Sequence, residues 1–233
     1  MMSEIYEIIA DESKLDEFID WLPDTNENSQ YYITLFARKK YIPDHPALRA
    51  DKTMIKRITS QKKDIKNKLR QMECRVGAYT GANNIPIPQN SLAVYISPSP
   101  RDLIAASFDT IQKLSSMLRH YMHDSSKSIN PRSEVMNAIQ LSGSRKKRLV
   151  FDLDSKDEKH LKYIEELYSN GKYSLIETRG GYHIIIDPDN NDGTWDKLWY
   201  NNKIRDICDV VGDALTPIVG CYQGGFIPKL IKK

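Results

Sequence analysis

Apolar residues recur along the chain with two different periods, and the changes of period divide it into elements. Leu15, Phe18, Ile19 and Trp21 fall at helical spacing and predict a helix over 13–21. Tyr31-Tyr32-Ile33-Thr34-Leu35-Phe36 is an unbroken aromatic and β-branched run, which reads as a buried strand. Met54, Ile55, Ile58, Ile65, Leu69 and Met72 recur among lysines at helical period, so a basic amphipathic helix is expected across 54–72. The Pro- and Asn-rich stretch 81–90 predicts a loop into a strand at 91–97. Ser99 as cap, Pro100 in the first turn and Asp102 three positions on predict a long helix reaching about Met122. Asn130-Pro131 opens a shorter one through Ile139.

From Arg148 the order becomes strand (RLVFDLD), then helix from Ser155 to about Ser169, with Ser155 and Glu158 as a capping box and Asn170-Gly171 as its stop. Two strands flank Arg179-Gly180-Gly181, an amphipathic helix is expected from Thr194 to Val211, and Gly224–Ile231 reads as a last strand. In that helix Trp195, Leu198, Trp199 and Ile207 would face the core. The mixture of strands and helices predicts an α+β (α/β) protein. All 233 residues are expected to form one domain, an N-terminal α/β and helical part over 1–145 and a second part over 146–233.

Composition is that of an ordinary globular chain, 40% hydrophobic and 28% charged, which excludes a disordered class. Cys74, Cys208 and Cys221 form no CxxC pair, so neither a zinc ribbon nor a disulfide framework is indicated. No apolar run is long enough to cross a bilayer and the amino terminus is acidic where a secretory signal is basic, so a cytoplasmic protein is expected. Net charge is only +3 but strongly segregated. Residues 1–30 carry one Lys against nine acids, and 38–75 carry thirteen Lys and Arg against four acids. That basic block would attract phosphate polyanions, unless it is a solvated face or is neutralised by the acidic leader packing beside it.

Candidate chemistry lies in the second half. In Leu149-Val150-Phe151-Asp152-Leu153-Asp154 the acids stand at i and i+2 of a strand, so both project from one face. Carboxylates so placed repel one another unless a divalent cation lies between them, and oxygen ligands suit Mg²⁺ or Mn²⁺. The alternative is a strand end, with Asp154 helping to cap the next helix. In Thr178-Arg179-Gly180-Gly181-Tyr182-His183, glycines let backbone approach a ligand, and Arg179 and His183 in one hairpin suggest phosphate binding; the alternative is a structural His. Downstream, Asp213 stands before a Pro/Gly loop containing Gln223, with Asp209 and Asp206 as competing acids. Lys146, Lys147 and Arg148, with Lys39 and Lys40 in the basic block, could track template phosphates or simply be exposed.

An apolar strand ending in D-x-D, a later strand opening on a small residue and His, and a downstream acid before a Gly/Pro loop resemble the catalytic core of the archaeo-eukaryotic primase superfamily. VFDLD is similar to its first motif, GGYH to its second and the Asp213 region to its third. The resemblance covers about residues 30–231 in order of elements. It implies a primase-like core with an RRM-like catalytic sheet joined to an N-terminal α/β unit. It also implies metal ions on Asp152, Asp154 and Asp213, and a nucleotide triphosphate met by His183, with Arg179, Gly181 and Gln223 around it. Single-stranded DNA is the implied template, NTPs or dNTPs the substrates, and a replicative helicase a possible partner; a bare catalytic unit suits a phage or mobile element.

Two other readings remain open on sequence alone. A haloacid-dehalogenase-type phosphohydrolase also begins with an apolar strand and D-x-D, but needs a Lys and further acids far downstream. A non-catalytic nucleic-acid-binding replication accessory protein could keep a primase-like fold without turnover.

Overall fold

The computed structural model describes residues 5–124, 126, 129–143, 148–168, 173–187, 204, 207–212 and 214–233. Among these residues are five α-helices and ten strands in two antiparallel sheets, an α+β architecture. No helix among them is long and apolar enough to cross a membrane.

The first sheet grows around β1 (Ser29–Arg38), whose residues Tyr31 to Leu35 are all buried. One side of β1 pairs with β2 (Lys52–Ser60) and the other with β3 (Leu92–Ile96) and the short β4 (Arg101–Asp102). The two-residue β9 (Thr216–Pro217) continues the sheet beyond β3. Helix α1 (Glu12–Trp21) is capped by Asp11, which accepts from the Lys14 backbone N–H, and buries Leu15 and Phe18.

The helix expected over 54–72 does not form. Residues 52–60 are strand, and only α2 (Ile65–Arg70) is helical. A β-bulge explains the misleading period. Leu35 pairs with Lys56 and Phe36 with Met54, so Ile55 is the extra residue and the alternation of β2 resets there. Ile55 and Ile58 therefore both pack on the core, at the i, i+3 spacing that mimics a helix face. The lysines around them find the acidic leader: Lys66 bridges to Glu12 at 3.0 Å and Asp16 at 2.8 Å, Lys62 to Asp24 at 3.0 Å, and Arg70 to Glu12.

Helices α3 (Leu103–His123) and α4 (Pro131–Leu141) lie beside one another, joined by Lys113 and Glu134 at 2.5 Å. The cap of α3 is Asp102, accepting from the backbone N–H groups of Ile104 and Ala105, so this helix starts later than a Ser99 cap would place it. Asn130 caps α4 as expected.

The second sheet holds β5 (Leu149–Leu153), β6 (Tyr173–Glu177), β7 (Tyr182–Ile186), β8 (Asp209–Gly212) and β10 (Lys229–Lys232), in the order β10-β6-β7-β5-β8. Helix α5 (Glu158–Leu167) joins β5 to β6, and its cap is Asp157 rather than Ser155. Residues 209–211 form β8 on the edge of β5 instead of ending a helix; residues 194–203, 205 and 206 of the helix expected over 194–211, with Trp195, Leu198 and Trp199, lie outside the described residues, while Ile204, Ile207 and Cys208 pack in the core of the second sheet. Gly224 and Gly225 turn with positive φ of 60° and 81°, which delays the last strand to Lys229.

Alternation along β5 divides the two cores. Phe151 and Leu153 pack with Ile164 of α5 and with Ile184, Ile204 and Cys208 on one face. Val150, Ile176 and Ile185 on the opposite face join the core of the first sheet, alongside Ile33, Leu35 and Val94. Continuing β5 along that second face, the next side chains after Val150 are Asp152 and Asp154.

Candidate active site

Where the apolar layer between the sheets ends, a cleft of about 560 Å³ opens. Asp152, Asp154, Thr178, Gly180 and His183 line it from the second sheet, and Arg38, Lys40 and Lys52 from the first. Asp152 is paired across the strands with His183, whose Nε2 stands 3.4 Å from Asp152 Oδ1. The His183 side chain is only 9% exposed and its Nδ1 is buried without a hydrogen-bond partner. A buried ring nitrogen left in that state is costly unless something completes it. Asp154, one turn of the pleat further, is exposed at the rim.

Burial acts to raise the Asp152 pKa, but the hydrogen bond and charge of His183, with the charges of Lys40 and Lys52, outweigh it, and the carboxyl is held below its ordinary range. The group therefore stays ionised in a partly desolvated setting.

On its other edge β5 pairs with β8, and there the residue in register with Asp152 is Asp209. The backbone register thus sets Asp152 of β5 between His183 of β7 and Asp209 of β8. Asp213 and Lys147 lie outside the described residues. Among the described residues no group of three His, Cys, Asp or Glu side chains is arranged as a ready metal site. Asp152 and Asp154 both line the cleft, and Asp209 is the next acid in the backbone register.

The glycine hairpin serves its own framework first. A Cβ on Gly181 would stand 1.8 Å from the Leu153 carbonyl oxygen, so the chain approaches the end of β5 rather than a ligand. Gly180 borders the cleft, where an added Cβ would meet Asp154 Oδ1 at 3.5 Å. Arg179 does not line the cleft beside His183: its guanidinium stacks 4.4 Å from the Tyr41 ring centre and donates to the Gly224 carbonyl. Gln223 reaches the cleft wall, accepting from Arg179 N at 2.8 Å and donating to Tyr95 Oη at 3.3 Å. Arg38 Nη1 donates to the same Tyr95 hydroxyl at 3.1 Å, so one network ties β1, β3 and the 223–225 turn.

Lys40 lines the cleft, whereas Lys39 does not. Arg148 belongs elsewhere, stacked 4.1 Å over Trp21 in a second cavity with Asp24, Asp102 and Asp187. Sequence reasoning did not single out Arg38, Lys52 or Tyr95. The first two were hidden in the basic block, and the missing signal was a strand rather than a helix at 52–60.

Comparison of the chain with protein-family models, with curated proteins and with solved structures found no match.

Proposed function

We propose that the chain is a template-directed nucleotidyltransferase of the primase-polymerase type, with a primase-like core. The observation that carries the reading is the cleft itself: Asp152, Asp154 and His183 from the second sheet share a gap of nucleotide size with Lys40, Lys52 and the Arg38–Asp51 pair from the first. Support from topology is independent of the side chains. A strand, a helix, then two strands and a fourth, ordered β6-β7-β5-β8 with β5 between β7 and β8, is the arrangement expected of an RRM-like catalytic sheet.

In this reading Asp152 and Asp154 hold Mg²⁺ or Mn²⁺, with Asp209 in register and Asp213 as the other candidate third acid. Bound there, such an ion supplies Lewis-acid activation of a 3′-hydroxyl and charge neutralisation at the leaving pyrophosphate. The chain's own work is positioning. His183, at the cleft wall beside Asp152, meets a phosphate oxygen, and Lys40 and Lys52, with Arg38 once it leaves Asp51, neutralise the triphosphate from the opposite wall. Arg179 and Gln223 act behind the cleft by fixing the 223–225 turn. Lys39, Lys147 and Arg148 remain candidates for single-stranded DNA template contacts. A phosphohydrolase built on Asp152 needs a downstream Lys, while the lysines facing Asp152 come from upstream.

The test is incorporation of labelled NTPs or dNTPs on unprimed single-stranded DNA with Mg²⁺ and Mn²⁺ compared. Metal-dependent product is expected from the wild type, falling roughly 1,000-fold in Asp152→Asn without loss of thermal stability. DNA binding without any metal-dependent incorporation would instead favour the replication accessory reading.

A further inference from the structure

Helix α3 turns an apolar stripe away from the other described residues. Of its 21 residues only Ala106 is fully buried. Ile104, Phe108, Ile111, Leu118 and Met122 are 50%, 69%, 67%, 56% and 85% exposed. With Ser115 these positions repeat at alternating steps of four and three, the a/d spacing of a coiled-coil seam. At 3.6 residues per turn they span an arc of about 80°, on the side opposite Ala106 and the α4-facing Lys113. A surface helix ordinarily does the reverse and buries such a stripe in its own core.

We infer that this stripe is the interface of a homodimer, in which α3 packs antiparallel against α3 of a second copy. Two features select a second copy of this chain as occupant. The stripe and its neighbour Tyr121, itself 44% exposed, offer roughly 700 Å², close to the ~800 Å² per partner of a standard stable interface. The stripe is also self-complementary under a two-fold axis through its midpoint. That axis sets Ile104 against Met122 of the second copy, Phe108 against its Leu118, and Ile111 against its Ser115, pairing large with smaller or flexible side chains. The positions flanking the seam are Ala105, Ser107, Gln112, Leu114, Arg119 and Tyr121, so no like charges meet across it. Antiparallel helices also oppose their dipoles favourably.

Sedimentation velocity over a concentration series tests the dimer on the full chain. The wild type is expected to dimerise in the micromolar range, and Phe108→Glu or Leu118→Glu to weaken dimerisation by at least about 30-fold with circular dichroism unchanged. Ser115→Leu, which fills the one polar position in the seam, is expected to tighten it about tenfold. A wild type that stays monomeric to ~100 µM would overturn the dimer and leave the stripe to a helix of another protein. Glutamate variants that dimerise as the wild type does would overturn it equally.

Discussion

Asp152 is set between a histidine on one neighbouring strand and an aspartate on the other, and nothing in its own strand accounts for both. That register makes Asp209 the acid to test against Asp213. If Asp209 is the third ligand, Asp209→Asn should lower metal-dependent incorporation roughly 1,000-fold, while Asp213→Asn leaves it within a few-fold of wild type. Full activity in Asp209→Asn with loss in Asp213→Asn would reverse the assignment. Primer extension at matched protein stability reads the difference. The same register explains what could be read from the sequence. The shared face of Asp152 and Asp154 follows from a two-residue period within one strand, and the His183 position from a short hairpin. Asp209 reaches Asp152 only through a non-local strand pairing, which no local period reports.

Elements were legible where their signals were local. The cap at Asn130 and the buried runs of β1 and β3 follow from side-chain type and spacing. They were illegible where pairing altered the period, as at the Ile55 bulge, or where an edge strand such as Asp209–Gly212 abutted a helical pattern. The connection between β6 and β7 shows an element whose sequence was noticed for one reason and is needed for another. Thr178 N donates to the Gly181 carbonyl and Gly181 N to Thr178 Oγ1, closing the loop while Gly181 rests on the end of β5. Gly181→Ala drives a Cβ into the Leu153 carbonyl and must displace β5 or the loop. It is expected to cost about 2–4 kcal/mol in chemical denaturation and to move Asp154 with β5. A variant as stable as the wild type would show that the loop is free to shift.

At the scale of the whole molecule the two sheets divide the labour. The first sheet brings Arg38, Lys40 and Lys52, and the second brings Asp152, Asp154 and His183, so the charges meet only because the shared apolar layer stops short of the cleft. Part of the remaining basic block is bound to the acidic leader, through Lys62, Lys66 and Arg70. Lys40 and Lys52, in contrast, line the cleft opposite Asp152, a position suited to a triphosphate ligand. Lys40→Ala and Lys52→Ala should therefore each raise the KM for nucleotide about tenfold, the scale of one charge-assisted contact. Template affinity, measured by fluorescence anisotropy at fixed ionic strength, should change little. Both lysines lie at the surface end of the layer, so thermal stability should hold. Losing template binding while KM stays constant would move these lysines to the nucleic-acid path, and would leave nucleotide recognition to His183 and Arg38.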